Sequence, residues 1–387
     1  MVISFVSAFV DSVGPSLTIV VTKRFDMFVS ARVTDAVAVQ AAHKVPTPRI
    51  GGFAVFGAIA VGLTVAPPDQ IGPGWLYLLS TLPVFLVGLG EDITRKVSAR
   101  LRYLAAVFSG ALAIILLGIW IDRMDVPPLG FGIFMVAPVG ILVTLFVTSS
   151  YAHAFNLTDG LNALASGLAV IAGLAMSVMA MRVGAPEMVM FLGIQVSAFL
   201  GFMALNFPRG KLFLGDAGAY SMGHLLAWSA LGVYAVAPDV TCWSLLLVFF
   251  WPMADTLFAM YRRLSVGKSI DCADRMHFHQ VIMRVIEIHW LGRNARHRAN
   301  PIATLVILPF AALPAILGVL LMYNSLAAFL ALIGCGAMFV LTYNVILAMG
   351  AGRSVTAQIG RMVRQRARRL RGKRNELALA NISDGKR

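Results

Sequence analysis

The sequence predicts an all-α, polytopic integral membrane protein, and three observations support this prediction. Hydrophobic residues make up 59% of the 387 positions and charged residues only 13%, which is too apolar for a soluble domain of this size. Long apolar runs recur at the length needed to cross a bilayer. The remaining charges are concentrated between those runs, where loops would meet water. We therefore expect about eleven transmembrane helices.

The predicted spans follow one another with short connections. They cover residues 3–22, 50–66, 75–90, 103–121, 130–149, 161–181, 188–206, 218–237, 241–260, 301–322 and 325–349. The first run has neither a leading basic segment nor a small-residue cleavage site, so we interpret it as a retained span. Residues 1–350 are thus expected to form one transmembrane domain, and residues 351–387 a basic tail. The three scattered cysteines predict neither a disulfide framework nor a zinc site.

The distribution of lysine and arginine predicts the orientation. If the N-terminus lies outside, all but two of the 32 basic residues fall in loops on the same side as the C-terminus. Only Arg123 and Arg182 fall on the other side. The positive-inside rule places the basic loops and the C-terminus in the cytoplasm. The net charge of +14 therefore indicates topology and contact with anionic membrane lipids, with no nucleic acid as a partner.

One stretch, NFPRGKLFLGDAGA over residues 206–219, sets a carboxylate against two basic side chains where an apolar segment meets water. Asp216 is its centre, since acidic groups at a membrane boundary usually mark an ion or substrate site. A following helix N-terminus would offer free N–H groups to an anion. A divalent cation on Asp216 and a phosphate near Arg209 and Lys211 would together suggest phosphate chemistry. The alternative is an interfacial loop that only solvates its charges.

Two earlier loops carry comparable features on the same side. Glu91 and Asp92 are adjacent carboxylates at the end of the third span, which favours a bound metal, a cationic neighbour or a raised pKa on one of them. Lys44 and Arg49 lie in a loop that two prolines stiffen before a glycine pair. Flanking positive charge would explain these basic residues but not the spacing of proline and glycine.

Two further segments contain polar residues at the same boundary. If residues 151–162 are helical, Asn156 and Asp159 share one face and Asn162 lies one step further along it. A stripe that satisfies neighbouring helices is the alternative interpretation. His277 and His279 do not share a helix face at this spacing, so they would converge only from an extended or irregular segment. With Arg275 nearby, contact with phosphate is as well supported as metal binding.

The ordered set of motifs resembles a known family. The runs are PTPRIGG, GLGEDITRKVSARLR, NLTDGLNALASG, NFPRGKLFLGDAGAYSMG and DTLFAMYRRLSVGKSIDCADRMHFHQ, spread over residues 43–280. They look like those of the polyprenyl-phosphate N-acetylhexosamine-1-phosphate transferases. That superfamily contains the UDP-GlcNAc:undecaprenyl-phosphate GlcNAc-1-phosphate transferases and the phospho-MurNAc-pentapeptide translocases. This chain departs from the usual pattern at Glu91, where aspartate is common, and at Gln280, where histidine is common.

The resemblance implies a role for each matched residue. It implies that Asp216 binds Mg²⁺, with Mn²⁺ as another metal, and that Asp92 beside Glu91 is a second metal ligand near the lipid phosphate. It implies that residues 159–162 form the nucleotide-binding motif and that Lys44 and Arg49 belong to the family's first basic loop. It also implies that residues 275–279 form the histidine motif, where the sugar phosphates are expected. The implied catalytic residues are Glu91, Asp92, Asp216, His277 and His279, and the implied binding residues are Lys44, Arg49, Asn156, Asp159, Gly160, Leu161, Asn162, Lys211 and Arg275.

The implied reaction transfers HexNAc-1-phosphate from a UDP-N-acetylhexosamine to undecaprenyl phosphate. It yields polyprenyl-diphosphate-HexNAc and UMP as the first step of a cell-envelope glycan, at the cytoplasmic face of the inner (plasma) membrane. A homodimer is left open. One alternative is the phospho-MurNAc-pentapeptide transferase of peptidoglycan synthesis. The other is a secondary transporter with Asp216, Asp255 and His224 as an ion pathway, which the absence of an evident inverted repeat disfavours.

Overall fold

The computed structural model describes residues 1–21, 47–127, 131–267, 276–292 and 295–350. Within these ranges the chain forms thirteen α-helices and one two-stranded hairpin. In chain order these elements are α1 (Val2–Val21), α2 (Gly51–Val65), α3 (Gly74–Thr94), α4 (Ala99–Leu117), β1 (Arg123–Val126), β2 (Phe131–Phe134), α5 (Ala137–Thr158), α6 (Leu164–Arg182), α7 (Pro186–Asn206), α8 (Gly215–Val236), α9 (Cys242–Val248), α10 (Phe250–Ser265), α11 (Phe278–Ile286), α12 (Arg296–Leu320) and α13 (Ser325–Gly350). The predicted basic tail lies outside the described residues.

The prediction of a helical, multi-pass membrane protein is confirmed at this level of detail. In the described part of the chain, eight helices are long and apolar enough to cross a bilayer. The number is nine if α9 and α10, which meet at an angle of 82°, form one broken span. The remaining two predicted runs correspond to α2, which has only 15 residues, and to α8. The total of eleven spans therefore stays a prediction.

Between α4 and α5 the chain departs locally from the all-α pattern. Strand β1 pairs with β2 in antiparallel register, with Arg123 opposite Phe134. The predicted span over residues 130–149 consequently begins later, at Ala137, and continues to Thr158. Pro138 suits the first turn of this helix because proline lacks the N–H that a helix start leaves unpaired. An apolar strand of four residues cannot be told from the start of a buried helix by composition alone.

Helix α8 lies at the centre of the molecule. Twenty of its 22 residues are buried, and it packs against α2, α3, α5 and α6. Its polar side chains find partners on neighbouring helices, as His224 does with Ser80 at 3.1 Å and Ser229 with Gln195 at 2.9 Å. Interhelical hydrogen bonds of this kind allow a partly polar helix to lie inside a membrane bundle.

Candidate active site

The site is built around the N-terminus of α8. Gly215 begins this helix with φ +74, a conformation that residues with a Cβ rarely adopt. Asp92, in the last turn of α3, accepts hydrogen bonds from the backbone N–H groups of Asp216 at 2.8 Å and Ala217 at 2.9 Å. A carboxylate in this position pairs N–H groups that a helix start leaves without partners. The sequence-based expectation that these groups are free to bind an anion is therefore wrong for these two.

The residues at the start of α2 pair with the loop that leads into α8. The N–H groups of Gly51 and Gly52 donate to the carbonyls of Phe213 at 2.9 Å and Leu214 at 2.8 Å. Phe213 in turn donates to the carbonyl of Pro48 at 2.8 Å. A Cβ on Gly52 would overlap the backbone of Gly218, so the two helix starts touch without side chains between them. This pairing explains the spacing of proline and glycine beside Arg49.

Asp216 lies in the first turn of α8 and is only 5% exposed. One carboxylate oxygen is ion-paired with Arg102 of α4. The other lies 3.6 Å from the Arg49 guanidinium and accepts a hydrogen bond from the Asn156 amide at 3.3 Å. The structure thus brings Arg49, Asn156 and Asp216 together, as the sequence predicts.

Arg102 was absent from the predicted site residues. It lies in the first turn of α4, which begins after Ser98, whose side chain caps the helix by accepting from the Leu101 N–H. The sequence signal was the pair of arginines in SARLR, two residues apart. Residues at that spacing face different directions on a helix, so only one of them could point into the site. The sequence did not show which.

The adjacent acidic residues Glu91 and Asp92 accept hydrogen bonds from different parts of the backbone. Asp92 caps α8, whereas Glu91 accepts a hydrogen bond from the Val97 N–H at 2.8 Å. That bond closes the loop between α3 and α4, in which Arg95 has a left-handed backbone at φ 58. The two carboxylates therefore act on different backbone segments in this structure. Their implied roles in catalysis and metal binding stay predictions.

The segment after α5 differs from the helical stripe that the spacing suggested. The helix ends at Thr158, so Asp159 and Asn162 lie beyond it and share no helix face with Asn156. That prediction is wrong because the backbone leaves helical geometry at Asp159, with φ −76 and ψ 53, and does not return to it before the left-handed Ala163, at φ 59. Gly160 and the buried Leu161 lie in this turn.

Asn162 holds the turn in place through three hydrogen bonds. Its N–H donates to the Asn300 side chain at 2.8 Å, and its carbonyl accepts from the Thr304 hydroxyl at 2.8 Å. Its amide also donates to the Pro208 carbonyl at 2.7 Å. Asn162 is 2% exposed, so the structure gives it a positioning role, and its implied contact with the nucleotide remains a prediction.

Asp159 adds a third carboxylate to the cluster. Burial raises its pKa to about 7, the Arg49 guanidinium opposes that rise, and the negative charge of Asp216 adds to it. The carboxyl group can therefore change its charge near neutral pH. Among the described residues, the site contains Asp92, Asp159 and Asp216 together with Arg49 and Arg102.

The two histidines converge on Asp255 of α10. The ring of His277 hydrogen-bonds the Asp255 carboxylate at 3.1 Å, and the Phe278 N–H donates to the same group at 2.9 Å. His279 lies 3.6 Å from Asp255 and stacks on His277, with ring centroids 5.6 Å apart. His277 precedes α11 in extended backbone, as the i, i+2 spacing required. The sequence alone predicts a role for Asp255 only in the transporter alternative.

His279 connects the histidine motif to the turn after α5. A Cβ on Gly160 would overlap the His279 ring, so the imidazole packs directly against the Gly160 backbone. The ring is 1% exposed, and burial lowers its pKa, although the neighbouring Asp255 carboxylate opposes that change. Lys211 is exposed on the loop before α8. Lys44 and Arg275 lie outside the described residues.

The donor set is compatible with a hard divalent cation. In the part of the chain that the structure describes, no three His, Cys, Asp or Glu side chains are arranged to hold a metal by themselves. Mg²⁺ in phosphate-transfer sites commonly takes only one or two carboxylates and completes its shell with substrate phosphates and water. Asp216, with the oxygen-bearing side chains of Asn156 and Asp159 nearby, supplies ligands of that type.

Comparison with known proteins gives consistent matches. The sequence profile of glycosyl transferase family 4 matches residues 75–234. Decaprenyl-phosphate N-acetylglucosaminephosphotransferase of Mycobacterium leprae is 30% identical over 275 residues, which cover 64% of this chain and 69% of that protein. Undecaprenyl-phosphate alpha-N-acetylglucosaminyl 1-phosphate transferase of Yersinia pestis is 28% identical over 254 residues, 62% of this chain and 67% of that protein. A probable enzyme of the same kind in Bacillus subtilis is 28% identical over 251 residues, with the same coverage.

Proposed function

The chain belongs to the polyprenyl-phosphate N-acetylhexosamine-1-phosphate transferases of glycosyl transferase family 4, and on that basis we propose the reaction that it catalyses. It transfers HexNAc-1-phosphate from a UDP-sugar to a polyprenyl phosphate and releases UMP. The acceptor is undecaprenyl phosphate, and the lipid diphosphate product begins a cell-envelope glycan. The relatives' names support this reaction and favour neither the peptidoglycan transferase nor a transporter.

One structural observation supports the proposal most strongly. Asp216 lies at a buried helix start between two arginines, with Asp159 and Asn156 beside it. A reaction between a lipid phosphate and a nucleotide diphosphate must bring two polyanions together. Charge neutralisation and positioning are the main catalytic requirements for phosphoryl transfer. The arginines provide positive charge, and the carboxylates provide ligands for a cation.

We place Mg²⁺, or Mn²⁺ in its stead, on Asp216, where the bound cation would neutralise phosphate charge and stabilise the UMP leaving group. Arg102 and Arg49 would then be available to the phosphate oxygens, since a cation bound to Asp216 would balance the charge of that carboxylate. Asp92 keeps the start of α8 fixed, which holds Asp216 at a constant position. The acceptor is already largely dianionic near neutral pH, so its attack on the β-phosphate needs little help from a base.

The histidine motif is the second phosphate-binding element in this proposal. Asp255 fixes His277 and His279, and His279 contacts the turn that contains Asp159 and Gly160. Arg275, two residues before His277, completes this group from outside the described residues. Imidazole N–H groups directed by a buried carboxylate can bind the phosphates of the sugar nucleotide.

The orientation and location belong to the same proposal. The N-terminus lies outside and the site faces the cytoplasm, because nearly all lysines and arginines lie on the side of the site. The enzyme crosses the inner (plasma) membrane about eleven times. This setting leaves the prenyl chain in lipid while its phosphate meets the cytoplasmic nucleotide. We leave open whether two copies form a homodimer.

Identification of the lipid product tests the proposed reaction. Purified enzyme is incubated with undecaprenyl phosphate, Mg²⁺ and a panel of UDP-N-acetylhexosamines, and the lipids are analysed by mass spectrometry. We expect a lipid diphosphate carrying one HexNAc. Asp216→Asn, which keeps the shape of the side chain but removes its charge, should lower the rate by about 100-fold or more while the protein stays folded. A lipid monophosphate sugar as the product would contradict the assignment.

A further inference from the structure

An apolar groove runs between α6 and α12 on the surface that these helices present to the membrane. Its walls include Leu174, Ile316 and Leu320, each more than half exposed, and its floor includes Ala175 and Ala312. The groove has a cavity volume of about 320 Å³. Volumes of several hundred cubic ångströms are typical of ligand sites.

The two helices run in the same direction along the groove. Asn162 contacts Asn300 near their starts, close to the catalytic site, and Arg182 contacts Val319 near their ends. Helix α6 has 19 residues, so the two contacts lie about 28 Å apart along the bundle. The Arg182 end of the groove is therefore at the membrane face opposite the catalytic site.

Arg182 lies beside that end of the groove, where it contacts the backbone of the lining residue Val319. It lies one helical turn beyond Val178, which lines the groove, and both residues face the same side of α6. One guanidinium nitrogen donates to the Val319 carbonyl at 2.7 Å, while the side chain as a whole is exposed. Among the described residues, no carboxylate lies within ion-pair distance of it. A guanidinium has five N–H donors, so several remain for an anion.

We propose that this groove binds one phospholipid with an anionic headgroup. An acyl chain lies against the apolar side chains of α6 and α12, and the lipid phosphate accepts hydrogen bonds from Arg182. Arg182 is one of only two basic residues that the charge distribution places on this side, and the other, Arg123, donates to carbonyls at the end of α8. The charge of Arg182 therefore selects a negative headgroup at a position where the surrounding surface carries little competing positive charge.

This site is separate from the acceptor phosphate of the proposed reaction, which lies at the opposite membrane face. A bound lipid would join the ends of α6 and α12, whose starts hold the turn at Asn162. Lipid binding and turnover can thus be measured independently. A variant can therefore lose lipid binding at this groove and still catalyse the proposed reaction.

Native mass spectrometry in mild detergent tests the site directly. The purified full-length enzyme is delipidated and titrated with phosphatidylglycerol or with phosphatidylethanolamine. We expect one phosphatidylglycerol per chain to bind tightly, and phosphatidylethanolamine to bind more weakly. Arg182→Gln should weaken phosphatidylglycerol binding about tenfold or more, because a charge-assisted hydrogen bond is lost. Arg182→Lys should retain most of the binding.

Two further variants separate the headgroup from the groove. Ala312→Trp fills the floor of the groove and should abolish binding of both lipids. Arg298→Gln removes one arginine at the other end of α12 and should change neither affinity. Thermal unfolding of each variant shows whether it is folded.

Three results would overturn the proposal. One is equal binding of phosphatidylglycerol by wild type and Arg182→Gln. Another is no retained lipid in the wild-type protein. The third is a lipid-free dimer that Ala312→Trp dissociates, because the groove would then be an interface between two copies of the chain.

Discussion

At the scale of single residues, Asp216 is balanced by Arg102, and this ion pair makes a specific prediction about metal binding. A metal must compete with the guanidinium for the same carboxylate. Arg102→Gln should therefore lower the Mg²⁺ concentration needed for half-maximal rate. The same substitution should lower kcat at saturating Mg²⁺ by about tenfold or more, since a cation that can bind phosphate is lost.

The matched control for this prediction is Arg100→Gln. Arg100 is an exposed arginine two residues earlier on the same helix, so it faces another direction. Both kinetic parameters should stay near those of wild type in that variant. A higher Mg²⁺ requirement in Arg102→Gln would show that Arg102 assists metal binding and does not compete with it.

The pKa of Asp159 gives a prediction for stability without metal or substrate. The pKa of Asp159 in the folded protein, about 7, exceeds the ordinary aspartate pKa of 3.8, so the folded protein holds this proton more tightly than the unfolded chain does. Its contribution to stability is complete below about pH 4 and is lost as the pH rises to about 7. The apparent Tm of wild type should therefore fall, relative to that of Asp159→Asn, between pH 5 and pH 8. Asp239→Asn, at an exposed position, is the control, and its Tm should follow that of wild type across this pH range. If the Tm curves of wild type and Asp159→Asn stay parallel, the raised pKa of Asp159 is contradicted.

At the scale of elements, the start of α8 depends on Gly215. A Cβ there would overlap the Arg49 carbonyl and approach the Asp92 carboxylate, and φ is +74. Gly215→Ala should thus lower the free energy of unfolding by more than the roughly 1–2 kcal/mol that a left-handed backbone alone costs a residue with a Cβ. It should also displace Asp216 and reduce turnover strongly.

Gly118→Ala is the matched control for Gly215→Ala. Gly118 has a similar φ of +68, but a Cβ there would meet no atom within 4 Å. This variant should show only the backbone cost and should keep its activity. Thermal unfolding and turnover of both variants provide the measurement. Equal losses of stability and normal turnover in both would show that the contacts around Gly215 are unimportant.

The sequence predicted most of the helices, because a helix that crosses a bilayer needs an apolar run of about 20 residues. Such runs can be located directly in the sequence. It also predicted that Asp216 lies at the mouth of a helix, since a long apolar segment follows it. It did not predict the strands β1 and β2, or the end of α5 before Asp159. Both depend on local backbone geometry that short apolar or polar runs do not determine.

The pairings across the site were less accessible to sequence reasoning. Asp92 caps a helix 124 residues away, and Asp255 fixes His277 from 22 residues away. Arg102 could not be distinguished from Arg100 before the direction of α4 was known. Which side chain each carboxylate pairs with depends on how the helices pack. The residue types alone are compatible with several different pairings.

At the scale of the whole molecule, the charge distribution predicts that the C-terminus is cytoplasmic. The measurement is a pair of fusions after Gly352, one to a phosphatase that works only in the periplasm and one to a fluorescent reporter that works only in the cytoplasm. The reporter should be fluorescent and the phosphatase inactive. The same fusions placed between residues 123 and 131 should give the reverse pattern, because that loop is predicted on the other side. An active phosphatase after Gly352 would overturn the orientation.

The identity of the released nucleotide tests the central claim most directly. Purified enzyme with undecaprenyl phosphate, Mg²⁺ and a UDP-N-acetylhexosamine should release UMP, because the bond that breaks joins the two phosphates of the donor. Added UMP should regenerate UDP-sugar from the lipid product, since one phosphoanhydride is exchanged for another of similar energy. Release of UDP without UMP would mean that the anomeric C–O bond breaks instead, and would contradict the transfer of a sugar phosphate.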